Sequence, residues 1–136
     1  MTFSPAAADT ILRHLQDVGG PEKYDLIVTG DLGSVGSSLF YDLLRDEGLD
    51  ISTLHYDCGA EIFDRKVQDV HAGGSGCGCC AAVLTGRLLP GMRAGVWDRI
   101  LFCATGALLS PLTTQQGESI PGVCHAVTIS NTRESM

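Results

Sequence analysis

Positive charge is scarce in this chain: nine Lys and Arg face sixteen Asp and Glu, for a formal charge of −7. Non-specific nucleic-acid binding needs a cationic surface, so no nucleic-acid partner is expected. Long apolar runs are missing too. The longest candidate, Cys79 to Leu89, is interrupted by Thr85, Gly86 and Arg87, too early to span a bilayer. The opening MTFSPAAADTILRHL has neither the basic start nor the apolar centre of a signal peptide, and Asp9 and Arg13 suit an amphipathic helix instead. Low-complexity tracts and a clear internal repeat are also lacking. What is left is an ordinary folded chain, and 136 residues suit one domain with its own core.

Paired cysteines at disulfide spacing are a further absence. Of the six cysteines, Cys77, Cys79 and Cys80 are too clustered to staple distant loops. Cys103 and Cys124 sit in the strand-like runs ILFCATG and VCHAVTI, where a thiol acts as a small hydrophobe. The expectation is reduced thiols in a reducing compartment. The C-x₂₋₄-C pairs of a zinc site are likewise missing. On a helix Cys77 and Cys80 share a face while Cys79 turns away, and adding Cys58 and His71 makes only an irregular ligand set. No metal and no cofactor is expected.

The periodicity that is present reads as alternating helices and strands. SPAAADTILRHLQDV, from Ser4, places Ala8, Ile11, Leu12 and Leu15 on one helical face. A strand follows over Tyr24 to Gly30, then a helix over roughly Ser37 to Glu47 closed by Gly48. Ile51 to Asp57 reads as a second strand and Ala60 to Asp69 as loop. A third helix is expected from about Gly76 to Met92, a third strand in DRILFCATGALLS and a last strand over Val123 to Ile129. No helical pattern separates the last two strands, so they should pair antiparallel at one side of an α/β sheet.

Two glycine segments stand where a strand gives way to a helix. In TGDLGSVGSS the glycines are three apart, unlike G-x-G-x-x-G, and no Lys follows, so neither nucleotide loop fits. Asp31 lies at the end of the strand, where open α/β sheets place their sites, or else it merely caps a turn. In HAGGSGCGCCAA, Gly73, Gly74, Gly76 and Gly78 allow unusual dihedrals and close backbone approach. Ser75 can cap the following helix, and its free N–H groups can receive an anion. Cys77 in the first turn would gain nucleophilicity, with His71 or His125 as base and Asp57 or Asp69 as orienter. The alternative is a packed structural thiol.

The blocks PAAADTI, YDLIVTGDLGSVG, YDCG, HAGGSGCGCCAAV, RILFCATGALLSP and QQGESIPGVCHAV, in this order, resemble the C-terminal part of the stage V sporulation protein AD family, which has a thiolase-like fold. The resemblance implies that residues 1–136 form a partial C-terminal thiolase-like half domain. Its sheet would be mixed, with about four strands and helices packed on it, and the first half of the family fold would be absent. A lone half should expose apolar surface meant for that half or for a second copy of the chain.

The implied function is non-enzymatic binding of dipicolinic acid, alone or as its calcium chelate, for uptake into the developing spore. Asp31, His71, Gly74, Ser75, Gly76 and His125 are the expected ligand-binding residues, with Arg93 and Arg99 as further donors for an anion. The implied place is the cytoplasmic face or periphery of the spore inner membrane, beside channel proteins of the same complex. Related condensing enzymes carry a His after the strand matching Tyr24–Thr29 and an Asn in the turn matching Ala72–Gly76; here Gly30 and Asp31, and Gly73 to Ser75, stand there. Two other readings stay open: thioester or acyl transfer at Cys77 with His71, and a purely structural subunit of the channel assembly.

Overall fold

The computed structural model describes residues 4–62, 67–69, 73, 78–107 and 122–131. Helix α1 is Ser4–Val18, as read from the sequence. It buries Ser4, Ala7, Ala8, Ile11 and Leu15, a stripe at three- and four-residue spacing. Strand β1 is Leu26–Thr29 and buries residues on both of its faces, which marks a central strand. Helix α2 is Gly33–Asp46, strand β2 is His55–Asp57, and α3 is the single turn Cys58–Glu61. Helix α4, Cys79–Val83, runs through a π-helical turn, Leu84–Leu88, into α5, Leu89–Arg93. Strands β3, Arg99–Ala107, and β4, Gly122–Ser130, complete the order.

The four strands form one sheet in the order β2-β1-β3-β4. β1 is parallel to both β2 and β3, and β4 is antiparallel to β3. Helices α1 and α2 cover one face, where Ala7, Ile11, Leu15, Phe40 and Leu44 pack on Ile27, Leu101, Cys103 and Cys124. The α4–α5 run covers the other, where Val83, Leu88 and Met92 pack on Val28 and Ile100. This is the layered α/β half domain with a mixed four-stranded sheet that the sequence led us to expect. On the second face Val127 of β4 remains 55% exposed.

Several boundaries differ from the sequence reading, each for a physical reason. Helix α2 starts at Gly33 rather than Ser37, because its first N–H groups are capped by Asp57, a residue far along the chain. β2 is shorter than Ile51 to Asp57, because a turn closes first: Leu54 N–H and His55 N–H both donate to the Ile51 carbonyl, at 2.9 and 3.0 Å. Part of the segment read as loop is the α3 turn, capped by the Asp57 side chain through Ala60 N–H. The third helix widens at Leu84–Leu88, just before Pro90. A proline ring inside an α-helix clashes with the carbonyl four residues back, and the wider π turn makes room for it.

Candidate functional site at the carboxyl ends of the parallel strands

From β1 the chain turns through α2 to β2 on one side, while β3 flanks β1 on the other. The connections leaving β1 and β3 therefore diverge, and a crevice forms outside their carboxyl ends. Asp31 stands there. Thr105 Oγ1 of β3 donates a 2.7 Å hydrogen bond to Asp31 Oδ1. Gly30 makes the close approach workable: a Cβ on it would lie 3.1 Å from Thr105 Oγ1 and 3.6 Å from Cys80 Cβ. The β1 exit, the end of β3 and the start of α4 thus meet around Asp31.

The other expected site residues are placed differently. His125 is exposed on β4 and pairs across the ladder with Ala104, while Thr105 pairs with Cys124. Paired residues share a face, so His125 faces the α4–α5 side and Thr105 the α1 side. His71, Gly74, Ser75, Gly76 and Cys77 lie outside the described residues. Gly73 within that segment is described, and it has φ +129°, with its position for a Cβ only 2.2 Å from the Gly59 carbonyl oxygen. Gly73 therefore presses its backbone onto the α3 turn, the close approach that a glycine allows. Gly78 shows no such constraint: no atom lies within 4 Å of its would-be Cβ. Arg99 belongs to the opposite end of the sheet, since it opens β3 and stacks over the Tyr24 ring at 5.1 Å. Arg93, at the end of α5 just before β3, is on that far side too, so neither arginine reaches Asp31.

Asp57, which the sequence reading named only as a possible orienter for a base beside Cys77, is the organising group of the β1–α2 turn. Its Oδ1 accepts from Thr29 Oγ1 at 2.6 Å and from Leu32 N–H at 2.9 Å. Its Oδ2 accepts from Gly33 N–H at 2.8 Å and from Ala60 N–H at 2.9 Å. A carboxylate with two accepting oxygens matches four donors; an acid or amide could not. The start of α2 is electropositive, and such helix starts often hold a ligand anion. Here the protein's own carboxylate fills that role, so the β1–α2 glycine turn is structural. The available sequence signal was an Asp directly before a short helical turn, in YDCG.

A hydrogen-bonded line leads outward from Asp57. The Thr29 hydroxyl proton points to Asp57, so Thr29 Oγ1 accepts from His55 Nε2–H at 2.8 Å. That fixes the tautomer, and His55 Nδ1 accepts from the Tyr41 hydroxyl at 2.7 Å. Burial lowers the His55 pKa to about 4, although Asp57 opposes the shift. Burial also raises the Tyr41 pKa, and Asp57 adds to it. Folded His55 is thus neutral above about pH 4, whereas in the unfolded chain it takes a proton below its ordinary value of 6.5. The unfolded state binds the extra proton between those values, so stability is lost as pH falls through that window. The expected loss is about 3 kcal/mol at full extent, from the size of the shift. Urea unfolding at pH 7.5 and 4.5 should show the wild type losing more than His55→Gln; equal losses would remove His55 as the cause.

Cys58, Cys79 and Cys103 are not activated thiols. Burial raises the Cys58 and Cys79 pKa values, and neighbouring Asp57 adds to both shifts. A hydrogen bond with Cys124 and burial together raise that of Cys103. Among the described residues no group of three or more His, Cys, Asp or Glu could hold a metal ion. Among them, too, no helix is long and apolar enough to cross a membrane.

The family model for stage V sporulation protein AD matches residues 1–130. Stage V sporulation protein AD of Bacillus subtilis (strain 168) is 46% identical over 126 residues, covering 92% of this chain. The match spans 37% of that relative's length, so the chain corresponds to a little over a third of it. The chain belongs to the stage V sporulation protein AD family.

Proposed function

We propose that this chain is the part of a non-enzymatic sporulation protein that supplies one wall of a site for calcium dipicolinate, for its uptake into the developing spore. The observation that carries this reading is Asp31, held by Thr105 at 2.7 Å in the crevice outside β1 and β3. Where a condensing enzyme of related fold would need an imidazole base, this chain offers an oriented carboxylate. A carboxylate repels a dianion but binds the hard cation of its chelate, since calcium takes oxygen ligands. The reading therefore favours the chelate over free dipicolinate. It places the protein beside the spore inner membrane with the channel proteins of the same complex. The remainder of the family fold, or a second copy of the chain, would supply the opposite wall.

Calorimetric titration tests this with dipicolinate alone, calcium alone and the two together. Saturable heat is expected only with both present, and Asp31→Asn should weaken it about tenfold, the scale of one charge-assisted contact. Binding that ignores calcium and Asp31, or no binding at all, would remove this chain from the ligand site.

A further inference from the structure

A second hollow lies on the other side of the β1–α2 turn, beside the edge strand β2. Ser34, Ser37, Ser38 and Tyr41 of α2, His55 and Asp57 of β2, and Ala60 and Glu61 of α3 line a cavity of about 230 Å³. That is below the roughly 300–1,000 Å³ of sites for drug-sized ligands. It suits a molecule of a few heavy atoms. Ser37 and Asp57 are buried in its wall, while Ser38 and Glu61 are exposed.

The hydrogen-bond directions give this cavity a sign. The two side-chain oxygens of Asp57 receive four donors. The Tyr41 proton is committed to His55 Nδ1, so the Tyr41 oxygen offers lone pairs only. Glu61 adds a second carboxylate, and no Lys or Arg is among the lining residues. Ser37 is only 8% exposed, and its Oγ has no hydrogen-bond partner within the protein. A buried hydroxyl left unpaired is destabilising, so its presence in the wall of a polar cavity points to a ligand that pairs it.

We propose that this cavity binds a small primary-ammonium compound, with the Ser37 hydroxyl, the Tyr41 oxygen and the Glu61 carboxylate as its acceptors. An ammonium carries three donors and no acceptor, which matches these three acceptors in a lining with two acidic side chains and no Lys or Arg. An anion meets two carboxylates and is excluded. The site shares no residue with the Asp31 and Thr105 crevice and is independent of it.

Amide NMR on the whole chain near pH 7.5 provides the test, with ethanolamine as the probe and glycerol and acetate as matched neutral and anionic arms. Ethanolamine should shift the amides of Ser34, Ser38, Tyr41 and Ala60 saturably, and the other two should not. Ser37→Ala should weaken ethanolamine about tenfold, the value of one buried hydrogen bond, while its melting temperature does not fall. Glu61→Gln, at an exposed position, should weaken it about fivefold. No saturable shift up to about 50 mM, beyond the millimolar affinity expected of so small a ligand, overturns the proposal. Glycerol or acetate binding as well as ethanolamine overturns it too. These amides lie away from Thr105, so failure of the dipicolinate reading is seen separately.

Discussion

Asp57→Asn lowers the unfolding free energy by about 4 kcal/mol, on the scale of losing one partner in a buried charged network. The substitution keeps the shape of the side chain and changes one oxygen into an amino group. Each Asp57 oxygen receives two donors, so whichever way the amide turns, its N–H₂ meets N–H or O–H groups. Two of those donors are the opening amides of α2 and a third belongs to α3. The loss therefore spreads to both helix starts. A domain with a total stability of about 5–15 kcal/mol has little left after such a change. Urea unfolding reads it directly. A loss below about 1 kcal/mol, the range of an ordinary neutral hydrogen bond, would mean that the Asp57 cluster is not the organising feature described above.

The second large effect is expected at Gly73→Ala, with a loss of about 3 kcal/mol or more from strain and overpacking together. The φ of +129° is open to glycine and strained for alanine, and the new methyl would stand 2.2 Å from the Gly59 carbonyl oxygen. Backbone faces backbone here, so no side-chain rotation relieves the clash. Gly86→Ala is the matched control. No atom lies within 4 Å of a Cβ at Gly86, inside the π-helical turn. A gain of about 0.5–1 kcal/mol is expected there, from reduced chain entropy in the unfolded state. Thermal unfolding of the two variants should move in opposite directions. If both destabilise alike, the close contact at Gly73 is not what sets its effect.

The sequence by itself determined the layers and most of their order. The stripe Ala8, Ile11 and Leu15 is complete within one helix, so α1 was legible to its last residue. The apolar runs of β1 and β3 mark buried strands, and the lack of a helical pattern in the sequence between β3 and β4 marks the antiparallel pair. The position of Asp31 just past a strand was also legible, because the end of a strand in an open α/β sheet is a local address. Periodicity and turn chemistry are written in neighbouring residues, which is why these features can be read without the fold.

Only the tertiary structure decided which side chains meet. Thr29 and Asp57 are 28 positions apart, and Asp31 and Thr105 are 74 apart. Parallel pairing of β1 with β2 and β3 sets both contacts, and the crossovers that permit it leave no local pattern. The early start of α2 follows from the same cause, since its cap comes from β2 rather than from its own first turn. The same distance hid the neutral His55 and the unpaired Ser37, because burial and polar satisfaction are properties of the packed chain. Arg99 and His125 fit a site by residue type alone. The sheet puts Arg99 at its far end and turns His125 to the opposite face, because direction along a strand and alternation across it are settled only when the strands pair.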